Sequence, residues 1–256
     1  MNGRKFFAAG MASLALLSFG AGCKNSSPSD SSPMQKSSTV LMKAAAKVQP
    51  HVTLGDIPVK GGSLNIQSAL LNIEKFLIEE NFGFDGEQEG EHQDDDNGSD
   101  NDHDAPDIMV AGPFSIEISK GEAFLDSVAV YPGTFKDLKL NFARKAAAPF
   151  NGKSLVISGQ FAPTNGAAIP FTINSEFAKE IQSQIAGNGI IVPQNAKVPV
   201  VVNFDLQAWF SGMDFTNATL VNGAILIDNA NNAGLLSAFE ANLAKFVEVE
   251  EDRDGD

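Results

Sequence analysis

Between residues 85 and 107 the chain carries eleven Asp or Glu and no Lys or Arg. Asp94, Asp95, Asp96, Asp100, Asp102 and Asp104, with Asn97 and Asn101, offer the hard oxygen donors that Ca²⁺ prefers. His92 and His103 add two imidazoles that would suit a softer ion such as Zn²⁺ or Cu²⁺. The spacing is not that of an EF-hand. Placing Gly98 at the sixth loop position brings Asp95 and Asn97 to ligand positions three and five. The first ligand then falls on Gln93 and the twelfth on Asp104 instead of Glu, and no helical pattern follows. A block of like charges without apolar anchors repels itself and stays solvated and disordered. The chemistry expected here is weak attraction of cations, with Ca²⁺ the first ion to consider.

The second centre of chemistry is Cys23, the only cysteine in 256 residues. It follows Gly20-Ala21-Gly22 and an apolar run over 6–19 headed by Arg4 and Lys5. Cations and a short apolar run are the first two regions of an export signal. The run is too short, and too rich in Gly, Ala and Ser, for a membrane span, which needs about 20 mostly apolar residues. The pattern resembles a bacterial lipoprotein signal, which implies that Cys23 is acylated, with palmitate among the acyl chains, and becomes the mature N-terminus. Gly20 departs from that pattern, standing where Leu is commonest. Lys24 follows the cysteine, not the Asp that resembles an inner-membrane retention mark, which favours the outer membrane. The plainer alternative is an ordinary secretory signal with Cys23 incidental. A thiol that carries lipid cannot act as a nucleophile. A single cysteine also excludes an internal disulfide, and a chain of this length can draw its stability from its core instead.

Other candidates are weaker. The end, Asp252-Arg253-Asp254-Gly255-Asp256, resembles the start of a calcium loop with no distal ligand to follow it. Asp228-Asn229-Ala230-Asn231-Asn232 reads as the N-cap of a helix. Trp209-Phe210 offers an aromatic platform for a glycan, or simply core packing. His51 has no acid or nucleophile in a recognisable motif nearby. There is no G-x-S-x-G elbow, H-E-x-x-H, P-loop or dinucleotide fingerprint. A hydrolase would therefore need a carboxylate pair assembled in space.

The net charge of −14 is not spread over the chain. Residues 85–107 hold −11 and residues 248–256 a net −5, leaving +2 for everything else. No basic stripe exists to neutralise phosphates, so nucleic acid is excluded as the expected partner. Residues 25–39 are Ser/Pro-rich with little apolar content, a flexible tether. The organisation expected is a signal over 1–22, a tether over 23–39, one domain over 40–247 containing the acidic insert, and an acidic tail over 248–256.

The elements that must position these groups read mainly as strands. Residues 40–54 are ambiguous between the helix-forming LMKAAAKV and extended chain around Pro50. In 63–84, Leu64 and Ile66 alternate on one parity and Leu71 and Ile73 on the other. That phase change near Ser68-Ala69 predicts a β-bulge in one long strand, with an amphipathic helix over 68–80 as the competing reading. Strands follow at 107–118 with Phe114, Ile116 and Ile118 on one face, at 124–130, and at 134–143 with Phe135, Leu138, Leu140 and Phe142 inward. Tyr131-Pro132-Gly133 has the signature of a type II turn. A hairpin joins 154–161 to 168–173; 198–210 is the most apolar strand and expected to be central; 215–227 is the last. Helices are expected at 176–186 and at 233–246, the second with Leu236, Phe239, Leu243 and Phe246 as its stripe.

Several of these segments resemble a group of bacterial lipoproteins with a β-rich domain of unknown function. The residues concerned are Ser63-Leu64-Asn65-Ile66-Gln67-Ser68-Ala69 with Asn72-Ile73-Glu74, Gly112-Pro113-Phe114, Tyr131-Pro132-Gly133-Thr134-Phe135 with Leu138 and Leu140, and Phe204-Asp205-Leu206 with Trp209-Phe210. The resemblance implies an antiparallel β-sandwich, transthyretin-like or immunoglobulin-like, with one or two short helices, and carries no catalytic residues. The function expected is a non-enzymatic, lipid-anchored envelope protein that meets the membrane through its lipid and an envelope protein or glycan as partner. The alternatives are a carbohydrate- or matrix-binding adhesin and a dedicated calcium- or transition-metal-binding protein.

Overall fold

The computed structural model describes residues 36–47, 56–80, 107–185, 187–243 and 247–251. All of them belong to one compact unit.

The spine is a strand of 19 residues, Gly62–Glu80 (β3). Its inward residues change parity twice: Leu64 and Ile66, then Ala69, Leu71 and Ile73, then Phe76 and Ile78, all buried. Each change coincides with a bulge, one between Ile66 and Ser68 and one between Ile73 and Lys75. An extra residue in a strand re-aims every side chain after it, so the bulges keep a long and otherwise out-of-phase sequence facing one core. The first bulge is the one expected; the second was marked only by Phe76 and Ile78. The helical alternative is not formed.

Around β3 lie Ile57–Val59 (β2) and Ile108–Glu117 (β4), both pairing with it antiparallel. Gly133–Phe142 (β6) and Leu155–Pro163 (β7) also pair with it antiparallel. The pairing is tight enough that a Cβ on Gly159 would sit 2.0 Å from the Asn65 carbonyl oxygen, so only glycine fits there. Ala123–Val130 (β5) and Ser38–Lys47 (β1) belong to a second sheet. β7 makes the expected hairpin with Ile169–Ser175 (β8). Glu180–Gln184 (β9) and Ile190–Val192 (β10) pair with β6, and Lys197–Asp205 (β11) lies between β1 and Val247–Glu251 (β14). Leu220–Val221 (β12) and Ala224–Ile227 (β13) close the larger sheet. The helices are Leu206–Trp209 (α1) and Ala233–Leu243 (α2).

The chain is thus mainly β, as expected, in sheets of four strands (β14-β11-β1-β5) and ten strands. They are mixed rather than purely antiparallel, because β1 runs parallel to β11 and β8 parallel to β13. Four local expectations also change. The segment LMKAAAKV is strand: Val40, Met42 and Ala44 have no exposure, and pairing on both sides overrides helix propensity. The expected helix at 176–186 is the edge strand β9, where Ile181 is buried opposite Leu140. Gly133 is not at a positive φ; it is the first residue of β6, paired with Val192. The last strand is split into β12 and β13 by Asn222 and Gly223, with φ of 52° and 81°, a two-residue turn of the kind whose twist suits a hairpin. α2 stops at Leu243, with Leu236, Phe239 and Leu243 buried as expected; Phe246 lies outside the described residues.

Candidate functional site

Cys23, His92, His103 and the insert carboxylates Asp94, Asp95, Asp96, Asp100, Asp102 and Asp104 lie outside the described residues, as do His51 and residues 252–256. Among the described residues no group of three or more His, Cys, Asp or Glu is placed to hold a metal ion. No helix among them is long and apolar enough to cross a membrane.

Trp209 is brought into the core. β11 ends at Asp205, whose Oδ1 accepts from Ala208 N at 2.9 Å and so caps α1. That turn swings Trp209 inward, edge-on to Phe204 and Phe239 at 5.7 and 6.1 Å, and Phe210 packs on Phe239 at 5.5 Å. Both residues have no exposure, so Trp209-Phe210 is core packing and not a platform for a sugar. Asn232 stands just before α2 as expected, its carbonyl accepting from Leu236 N at 3.2 Å. Its side chain holds the β12–β13 hairpin: Oδ1 accepts from Thr219 N at 2.8 Å, and Nδ2 donates to Leu226 O at 2.7 Å. Asp228 takes Ala230 N, Asn231 N and Asn231 Nδ2. Burial pushes that carboxyl up, and these three donors outweigh it, holding it below its ordinary range.

Two polar groups that no motif marked stand out in the described fold. The first is Asn72, only 2 % exposed, at the point where β3 passes from β7 to β6. Its N donates to Ser154 O at 2.8 Å and its O accepts from Ala143 N at 3.1 Å. Its Nδ2 donates to Ala143 O at 2.7 Å, and its Oδ1 accepts from Ser115 Oγ at 3.3 Å. Lys145 Nζ donates to the same hydroxyl at 2.8 Å. Ser115 Oγ thus bridges Asn72 and Lys145. The arrangement ties β3, β4, β6 and β7 together.

The second is Glu117, beside a cleft of about 400 Å³ that Glu122 and Phe124 also line. Its carboxylate accepts from Ser68 Oγ and Ala69 N, each at 2.8 Å, and from Ser119 Oγ, so it plugs the first β3 bulge. Partial burial pushes its pKa up, but the Ser119, Ala69 and Ser68 donors and the charge of Lys120 outweigh that and hold it below 4.5. A general acid needs the opposite shift. Glu122, its neighbour in the cleft, is engaged by Lys43 at 3.0 Å. Because the Glu117 pKa is depressed in the fold, its stabilising contribution is present above about 4.5 and is lost as pH falls through the folded value. Glu117→Gln is expected to cost about 1–2 kcal/mol at pH 7, in line with loss of charge-assisted hydrogen bonds. In urea titrations the gap between the two proteins should close as pH drops below 4.5.

An apolar cleft of about 530 Å³ lies between the β7–β8 turn and the chain before β12, lined by the stacked rings of Phe161 and Phe215. Its rim includes Leu220, which is half-exposed. No family model, curated protein or solved structure matches the chain.

Proposed function

We propose that this chain is a lipid-anchored protein of the bacterial cell envelope, held by acyl chains on Cys23, with a β-rich domain that binds or supports rather than catalyses. The outer membrane is the favoured site, because Lys24 follows the cysteine. The observation that carries the reading is the order of features along the chain. Arg4 and Lys5, an apolar run, the sole cysteine and a Ser/Pro-rich stretch lead directly to the first strand at Ser38. The acidic segment 85–107 adds a general attraction for divalent cations, Ca²⁺ foremost. Its partner is an envelope protein or glycan. The finer architecture we propose is a sandwich of transthyretin-like or immunoglobulin-like type. Its support is that Val40, Met42 and Val200 of the smaller sheet and Leu71, Phe76 and Leu140 of the larger share one hydrophobic core.

The test is acylation in cells. With labelled palmitate, the native chain should incorporate label and sediment with membranes, and Cys23→Ser should lose the label and become soluble. A Cys23→Ser protein that stays membrane-associated would overturn the anchor.

A further inference from the structure

An Asn followed by Gly carries a reaction within itself. The Gly amide nitrogen attacks the Asn Cγ, a succinimide ring closes and ammonia leaves, one reason that Asn is thermolabile. Glycine favours the closure because it has no Cβ to obstruct the approach and its backbone turns freely. The ring forms only where the Gly N–H is free and the peptide between the two residues can rotate. Four Asn-Gly pairs fall within the described residues: Asn151-Gly152, Asn165-Gly166, Asn188-Gly189 and Asn222-Gly223.

The fold holds three of them shut. Gly152 N donates to Lys145 O at 2.8 Å, and Lys153 N donates to Phe150 O at 3.0 Å, so the turn around Asn151 is bonded across itself. Gly189 lies against β6: a Cβ there would sit 2.4 Å from Phe135 O, which leaves its backbone no room to swing. Asn222 and Gly223 are the two central residues of the β12–β13 hairpin. Their φ values of 52° and 81° are those the pairing of Val221 with Ala224 demands.

Asn165 is placed differently. The pairing of β7 with β8 reaches Phe161 and Ile169 and stops. Thr164 is still tied, its N and Oγ1 donating to Gly61 O at 2.9 and 3.1 Å. Asn165, Gly166, Ala167 and Ala168 follow, all exposed. Among the described residues neither the Asn165 side chain nor Gly166 N has a hydrogen-bond partner. A Cβ on Gly166 would meet only Pro163 Cγ, at 3.5 Å, so the space around this peptide is open.

We propose that Asn165 is a self-modification site, converted by Gly166 N to a succinimide and then by water to aspartate and isoaspartate. The Gly166 N–Cγ bond forms as the Cγ–Nδ2 bond breaks, and the Gly166 proton leaves with Nδ2 as ammonia. Water opening the ring at Cγ gives aspartate. Opening at the main-chain carbonyl gives isoaspartate, which adds a methylene to the backbone where no strand pairing is disturbed. Either product sets a carboxylate on the rim of the cleft of about 530 Å³, whose lining residues include none that is charged. An uncharged apolar cleft thereby acquires an anionic edge. This chemistry is independent of the lipid anchor.

The full chain is incubated in buffer at mildly alkaline pH and digested at intervals, and each Asn-Gly pair is read from its own peptide by chromatography and mass spectrometry. The peptide of Asn165 should convert about tenfold faster than those of Asn151, Asn188 and Asn222, the factor imposed by about 1.4 kcal/mol of opening, or one to two hydrogen bonds. In urea the four rates should converge, because only the fold separates them. Asn165→Gln, at an exposed position without partners, should leave its own peptide unchanged, since the longer side chain does not close the same ring. Conversion at Asn165 no faster than at the other three in the native protein would overturn the proposal. So would a ranking that persists in urea, or a signal that survives Asn165→Gln.

Discussion

Replacing Trp209 with alanine is expected to lower the unfolding free energy by about 4 kcal/mol. The side chain has no exposure and packs edge-on between Phe204 and Phe239, so truncation removes apolar burial and leaves a cavity under both rings. Its Nε1 makes no hydrogen bond among the described residues, so no polar partner is orphaned by the change. Trp209→Phe should accordingly cost much less, about 1–2 kcal/mol, as a smaller change of shape in a packed core. Urea unfolding followed by circular dichroism separates the two. Equal midpoints for Trp209→Ala and the native protein would show that the residue is not buried. The fluorescence of the native chain gives a second check: emission from its single tryptophan should be blue-shifted and unmoved by added saccharides.

Asn72→Ala is expected to cost about 2 kcal/mol, a fall of about 4–8 °C in melting temperature for a domain of this size. The reason is the orphaned partner rather than lost volume. Ala143 O loses the Nδ2 donor where three strands meet β3, and a buried group left unsatisfied costs about 1–3 kcal/mol, whereas Ser115 Oγ is on an exposed residue and turns to water. Asn72→Asp keeps the shape but sets a carboxylate against the Ala143 carbonyl. It should be destabilised at neutral pH and partly recover in acid, where protonation restores a donor. Thermal melts at pH 7 and pH 4 decide the matter; an alanine variant that melts with the native protein would show that the backbone alone holds the junction.

The strands that announced themselves share one property: their inward residues alternate between local turn signals. β6, the β7–β8 hairpin and the stripe of α2 could be read that way because side-chain direction follows backbone period. The first bulge of β3 was legible for the same reason, since a parity change within one apolar run leaves few other solutions. β1 and β9 were not legible. Ala44-Ala45-Ala46 is a helix former in isolation, and Ile181 with Ile185 satisfies a helical spacing as well as a strand. Each became a strand because a distant edge was open to it, β11 and β5 for one and β6 for the other.

The candidate site divides along the same line. Composition by itself determined where the charge lies along the chain, that a single cysteine follows an export-type start, and that no familiar catalytic motif is present, because these depend only on residue type and order. That Trp209 is core, and that Glu117 and Asn72 hold bulge and junction, depended on tertiary structure. Pairings such as Thr39 with Lys197 or Phe135 with Glu80 join residues more than fifty positions apart, and no local period carries that information. They are chosen when the whole core closes, because only one register buries all its apolar faces at once.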